Sequence, residues 1–422
     1  MSNSFSKEEQ VAFEDILEGF NDALVLSRNV SKYSTDQAGM ERANDIIWRP
    51  QPYIAQTFDG TDQTANFQDM TQLSVPATIG FSKSAPWIMT AKELRDALQE
   101  GRLGNAAKQK LASDVNVAVM NVAANQGTLF VKRSAAAAGF ADLAECEAIF
   151  NEQGVNQFER YSALSTRDYN SMASNLAAGN VMQNKAIKAY EKAYVGQVAS
   201  FETYKLDYAN RLAAAAGGGA LTIDTRDAAV NYYTPVATRT AATGEVSNVD
   251  NRYQTITISS TTNVAAGDAF TVADLNAAHH ITKGDTGQLK TFRVISVDSA
   301  TTMTISPPMI TNQGGTDAEA QYQNCVINTK ASNSAIVFLN TVEGPINPFW
   351  QKDAIEILPG NYEVPTNAGV DVMRATTEQG IEMVWQKFYD INNMKIKYRC
   401  DILFGVVNKQ PEMSGIMMFS QT

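Results

Sequence analysis

The stretch that decides the fold is AKQKLASDVNVAVMNVAANQG, residues 107–127. Ala107, Leu111, Val115, Ala118, Val119 and Val122 recur at three- and four-residue steps, so one helix face is continuously apolar. Gly127 is placed to stop the helix. Upstream, Thr90 is placed to cap a start, with Glu93 at the capping-box spacing. Gly101 and Gly104 are expected to interrupt the helix. The part after that break runs about 20 residues, or roughly 30 Å at 1.5 Å per residue.

Working back from this helix, residues 51–88 are rich in Gln, Thr, Asp, Gly and Pro, with short β-like pieces at Leu73-Ser74-Val75 and Ile79-Gly80-Phe81. A loop of that length without helix points to a long hairpin arm. Residues 1–50 open with an amphipathic helix. Val11, Ile16, Leu17, Phe20, Leu24 and Val25 form its apolar side, and Glu8, Glu9, Glu14, Asp15, Glu18 and Asp22 its acidic side. An extended stretch follows and ends at Ile46-Ile47-Trp48-Arg49-Pro50, where proline holds the chain extended or turned.

Working forward, residues 134–221 alternate helices, expected at 141–151, 167–176 and 183–197, with a strand at 161–164. They close on the glycine run Gly217-Gly218-Gly219. From 222 to 344 the helical period vanishes and Thr, Val, Ile, Asn and Gly dominate. Strands are expected at 253–259, 269–272, 290–297 and 301–305, with Ile256 and Ile258 pointing inward. This spacing reads as an inserted small barrel that folds as a unit. Residues 345–422 return to mixed α/β, with strand-like segments at 354–358, 384–390 and 395–407. The fold class is therefore α+β with an inserted β-barrel. It divides into 1–50, 51–88, 89–133, 134–221, 222–344 and 345–422.

The 422-residue chain carries 34 basic and 45 acidic side chains, a formal net charge of −11. This argues against a broad basic surface for gripping phosphate and leaves room for a local contact, while a protein that encloses a polyanion without adhering to it is well served. Cys146, Cys325 and Cys400 are isolated and odd in number, so they read as buried thiols rather than a disulfide framework or zinc site. His279 and His280 are adjacent, which suits a turn pair better than a metal site. The polar, acidic N-terminus has no signal-peptide pattern and no run is long enough to span a bilayer. GxSxG, HExxH and phosphate-loop patterns are missing, so no catalytic, cofactor or metal residues are assigned. The tryptophans Trp48, Trp87, Trp350 and Trp385 read as packing anchors.

Four stretches carry a resemblance to a known family. They are Ile47-Trp48-Arg49-Pro50; Leu94-Arg95-Asp96 through Lys110-Leu111-Ala112-Ser113-Asp114-Val115 to Ala123-Ala124-Asn125-Gln126-Gly127; Val249-Asp250-Asn251-Arg252-Tyr253; and Phe349-Trp350-Gln351-Lys352-Asp353-Ala354-Ile355. In this order, and with the segment 400–413, they resemble the coat fold of tailed phages, the Hong Kong ninety-seven fold. The local sequence is most similar to coat proteins of short-tailed Salmonella phages, which carry an insertion domain.

The resemblance implies an N-arm, a hairpin arm, a spine helix and an axial domain carrying the barrel. It implies self-assembly into hexamers and pentamers of an icosahedral shell enclosing double-stranded DNA. The implied route is a scaffolded procapsid, assembled in the host cytoplasm, that expands on maturation. Implied partners are a scaffolding protein and a portal protein, with no membrane and no cofactor. The scaffold contact falls on Glu14 and Asp15, with Glu18 one turn onward. A capsomer-bridging loop falls at 238–252, where Glu245, Asp250 and Arg252 are the charged residues and the tip reads Thr240-Ala241-Ala242-Thr243-Gly244. Two alternatives stand: a nanocompartment shell of the same fold, and a soluble α/β enzyme with a barrel substrate domain.

Overall fold

The computed structural model describes residues 7–33, 46–52, 54–64, 66–67, 69–90, 93, 97–178, 183–206, 208–217, 221–227, 231–363 and 370–422. The chain divides into two compact units. One comprises residues 1–47, 77–122 and 355–407; the other comprises 48–76, 123–354 and 408–422.

In the first unit, helix α1 (Lys7–Ala23) buries Phe13, Ile16 and Phe20. The spine helix α2 (Ala97–Gln126) buries Leu111, Val115, Ala118 and Val119. The α2 stripe is the one read from the sequence; of the α1 stripe Ile16, Phe20 and Leu24 are buried, but Val11 and Val25 are exposed and Phe13 takes the inner face instead. The expected break at Gly101 and Gly104 does not occur: α2 runs unbroken for 30 residues. Its length, about 45 Å at 1.5 Å per residue, is half again what a break would leave. The reason lies in a distant contact. A Cβ on Gly104 would fall 2.5 Å from Cδ1 of Ile16, so this glycine makes room for α1. A glycine costs a helix about 1 kcal/mol, which burial of one isoleucine offsets. Of the expected helix start, Glu93 does accept a hydrogen bond from the Thr90 backbone at 2.7 Å. The motif Leu94-Arg95-Asp96 lies outside the described residues.

The sheet of this unit runs Ser31–Lys32, Ile355–Gly360, Lys395–Asn408, Glu382–Asp390, Asp371–Thr376, and Phe81–Thr90 also pairs with Lys395–Asn408. That last ladder is antiparallel over ten residue pairs, Thr90 opposite Lys395 to Phe81 opposite Phe404. Residues 81–88, read from sequence as arm, are therefore sheet. Trp87 stacks on Tyr398 (centroids 5.5 Å apart), and Trp385 packs at 6.0 Å from Trp87 and 5.6 Å from Phe13. Two of the four tryptophans thus anchor one aromatic cluster.

In the second unit a six-stranded sheet is ordered Leu129–Lys132, Ser414–Met418, Asn347–Gln351, Arg160–Ser165, Phe201–Leu206, Gln197–Val198. Helices α3 (Phe140–Glu152) and α4 (Thr166–Ala178) contribute Leu143, Cys146, Phe150, Tyr169 and Met172 to its core, against Leu164, Phe201, Phe349 and Met417. Helix α5 (Gln183–Lys192) ends short of the expected 197. The chain turns left-handed at Ala193 (φ 49°), and Gln197–Val198 is strand. The run at Gly218-Gly219 lies outside the described residues.

The inserted sheet has seven strands: Thr222–Ile223, Ser334–Phe338, Ala269–Ala278, Asp285–Val297, Thr302–Ser306 and Gln254–Thr257 in order, with Cys325–Ile327 pairing Ala269–Ala278. Just past the last strand, the Ser259 N–H donates to the Thr222 carbonyl at 2.9 Å and ties the two ends of this barrel-like sheet together. Ile256, Ile258, Phe270, Val272, Phe292, Val294, Met303 and Ile305 fill it. Alternation along each strand produces this inner face. Helix α6 (Asp317–Tyr322) was not anticipated; the Thr316 side chain caps it by accepting from the Glu319 N–H.

Candidate functional site

The candidate surfaces begin with α1. Its sequence holds one Lys against four Glu and two Asp, a net charge of −5. Glu14, Asp15 and Glu18 are all exposed, while Phe13, Ile16 and Phe20 between them are buried. The 3.6-residue period separates the two sets, so the three carboxylates share a solvent-facing side. Val11, on the same helix, is 59% exposed.

The 238–252 loop is a two-stranded hairpin, Thr238–Thr240 with Val246–Asn248, paired from Thr238 opposite Asn248 to Thr240 opposite Val246. Gly244 turns the tip at φ +84°. Glu245 is exposed there. Asp250 and Arg252 are placed differently. They lie at the base, where Arg252 donates from Nη2 to Asp250 Oδ2 at 2.7 Å and from Nε to Oδ1 at 3.0 Å. Its Nη1 also donates to the Asn408 carbonyl at 2.9 Å. Arg252 retains only 8% exposure. This pair fastens the hairpin base within the chain and is not brought together with Glu245.

The arm between Trp48 and Pro76 is tied at its base. The Gln51 N–H donates to Leu73 O at 2.9 Å, and Gln72 Nε2 to Gln51 O at 2.6 Å. Beyond that it leaves Phe58, Phe67 and Met70 exposed, Phe67 by 88%. They border a cavity of about 550 Å³ that also meets Ile54 and Gln321. An arm with three large apolar side chains in water lacks a core of its own.

Sequence reasoning missed a buried charge cluster. Lys290, fully buried, forms an ion pair with Glu412, which also accepts from Asn324 Nδ2 at 3.1 Å. Burial pushes Glu412 up, but Lys290 and then His280 more than reverse this and leave it below its ordinary 4.5. Burial lowers Lys283 to about 8 and His280 to about 4. The histidine pair sits in the turn after Ala269–Ala278: His279 Nδ1 accepts from the Ile281 and Thr282 N–H groups, each at 3.2 Å. The three cysteines are buried.

Among the described residues no three His, Cys, Asp or Glu side chains are grouped to hold a metal, and no helix is long and apolar enough to cross a membrane. An α+β body with an inserted barrel, a charged helix face and an apolar arm left uncovered is the build of a tailed-phage coat subunit. The chain belongs to the family described as P22 coat protein, gene protein 5, which it matches over residues 1–420. It is thus a structural protein, not an enzyme: a major capsid protein that forms an icosahedral shell and resides in the virion capsid.

Among solved structures it is similar to that of Mycobacterium phage Che8, at 9% identity and a TM-score of 0.44, covering 93% of this chain and 90% of that one. The capsid of cyanophage P-SCSP1u is similar at 10% identity and a TM-score of 0.42, covering 93% and 86%. The CUS-3 coat protein I-domain is 35% identical with a TM-score of 0.22, covering 29% of this chain and 98% of that one.

Proposed function

We propose that the shell is built through a procapsid in which a scaffolding protein binds α1. What supports this reading is the exposure of Glu14, Asp15 and Glu18 on a helix whose other face is buried. A basic helical segment of the scaffold would meet all three. Each exposed pair is worth about 0–1 kcal/mol, so binding needs many subunits and weakens as salt shortens the Debye length to roughly 8 Å. Such a contact suits a partner that must later leave.

In this reading residues 1–50 and 51–80 serve as arms, 89–133 as spine, 134–221 with 345–354 and 408–422 as the axial body, and 222–344 as the insertion, while 81–88 and 355–407 share the sheet of the first unit. The exposed apolar arm crosses a neighbouring subunit within hexamers and pentamers. The 238–248 hairpin, with Glu245 as its exposed acid, bridges capsomers, and Asp250 with Arg252 hold its base. A portal occupies one vertex, assembly takes place in the host cytoplasm, and the shell expands around double-stranded DNA that it encloses without sequence preference. The test is the double reversal Glu14→Lys with Asp15→Lys. The variant should fold and remain dispersed but lose scaffold from its particles, giving aberrant or empty shells. Unchanged scaffold content would place the contact elsewhere.

A further inference from the structure

The strand Asp285–Val297 carries two polar side chains, Thr291 and Arg293, out of the barrel. Phe292 and Val294 point into the barrel core, so alternation sends Thr291 and Arg293 to the opposite face. Arg293 is nevertheless 1% exposed. Something covers it, and that cover is the end of the spine helix. Arg293 Nη1 donates to the Ala124 carbonyl at 3.1 Å and to the Gly127 carbonyl at 3.2 Å. Its Nε donates to Gly267 O at 3.0 Å, within the barrel. Beside it, Thr291 Oγ1 donates to Thr128 O at 3.0 Å.

The end of α2 needs such help. The last four carbonyls of any helix lack partners within it, and a cation there is favourable. The last turn of α2 has no basic residue. Nor does Gly127 form the left-handed glycine cap that ends many helices: it is absent from the positive-φ glycines. Its lack of a side chain serves close approach instead, since a Cβ would lie 2.9 Å from Ala123 O and 3.1 Å from the Gly415 amide nitrogen. Gly127 lets the C-terminal strand pass close to the helix end, and the capping is left to another residue.

We propose that Arg293 is that cap: the inserted barrel, distant in sequence, completes the spine helix of its own chain, so the helix end and the strand following it become ordered only when the barrel is folded and seated. The fork of the guanidinium binds two carbonyls in fixed geometry, which an ammonium cannot reproduce. Burial lowers Arg293 to about 10, with Asp268 opposing, so the cap keeps its charge at neutral pH. A shared apolar cluster of Ala124, Phe130, Leu212, Ala269, Ile416 and Met418 surrounds the contact. An insertion that merely decorated the surface would need no fully buried cation on its outer face.

The test is hydrogen exchange followed by mass spectrometry on the full-length chain carrying Arg293→Met, which keeps length and removes charge and donors. Amides of residues 122–132 should exchange at least tenfold faster, while those of the barrel strands at 254–257 and 302–306 change less than threefold. Unchanged exchange at 122–132 overturns the proposal. So does an equal rise in the barrel strands, which would make Arg293 an internal barrel residue acting through Gly267. Should Arg293→Met fail to accumulate folded, Arg293→Lys decides the matter. It keeps the charge and loses the fork, so a rise of about threefold confined to 122–132 supports the cap, and no rise there refutes it.

Discussion

Removing the Glu412 carboxylate should be among the most damaging single changes in the second unit. Lys290 is fully buried and its counter-charge is Glu412. Glu412→Gln leaves an ammonium with no water and no carboxylate, and breaking a buried pair from one side costs about 3–5 kcal/mol. Lys290→Met leaves a carboxylate that is 21% exposed and still held by Asn324, so it should cost less. The double variant removes both charges. Because a neutral pair of like volume is often as stable as the ion pair it replaces, it should lose less than either single variant. The coupling energy from the cycle is then about 3 kcal/mol or more, well beyond the 0.5 kcal/mol scatter of independent sites. Equilibrium urea unfolding of the unassembled chain measures all four proteins. Acid should reproduce the single loss. Glu412 sits below its ordinary 4.5, so its contribution is complete above about pH 4.5 and fades as pH falls through the lower folded value. Single variants within 1 kcal/mol of the parent, or a double variant as unstable as the sum of the two, would refute this reasoning.

His280 should give a second, milder pH dependence. Its folded value of about 4 lies below the ordinary 6.5, so the unfolded chain takes up the proton first and stability falls as pH drops. Between pH 7 and pH 5 the loss is about 2 kcal/mol, and His280→Gln should flatten that part of the unfolding profile. Ile256→Ala, at a fully buried position in the barrel, should cost about 2–5 kcal/mol and lower the yield of assembly-competent chain, read by circular dichroism and particle recovery. Gly405→Ala should disrupt the first unit, because the new Cβ would stand 2.2 Å from the Thr78 carbonyl oxygen. Backbone must shift, at about 1–3 kcal/mol, and a melting temperature equal to the parent's would show that it need not.

The parts of the fold that local periodicity controls were legible in the sequence. The stripe from Leu111 to Val119 and the inward alternation of Ile256 and Ile258 arise from 3.6- and 2-residue repeats, and both are buried as expected. Even α6 left a mark, since Thr316 and Glu319 stand at the capping spacing. What depends on distant neighbours was not legible. Gly104 looks like a helix breaker until Ile16 is placed against it. Asp250 and Arg252 look like surface charges until Asn408 supplies a carbonyl to the arginine. Arg293 and Lys290 sit in an ordinary alternating strand, and nothing nearby marks them as buried, because their partners are 166 and 122 residues away at Gly127 and Glu412. The acidic face of α1 was legible as a pattern, but charge pattern alone does not name what it meets.

This chain tiles a closed shell. Electron cryo-microscopy of particles formed when the chain is produced with its scaffold tests that most directly. Icosahedral particles are expected, their lattice built of hexamers and pentamers of this chain, with the arm bearing Phe67 covered by a neighbouring copy. Dispersed monomers alone, or shells whose lattice is made of another protein, would contradict it.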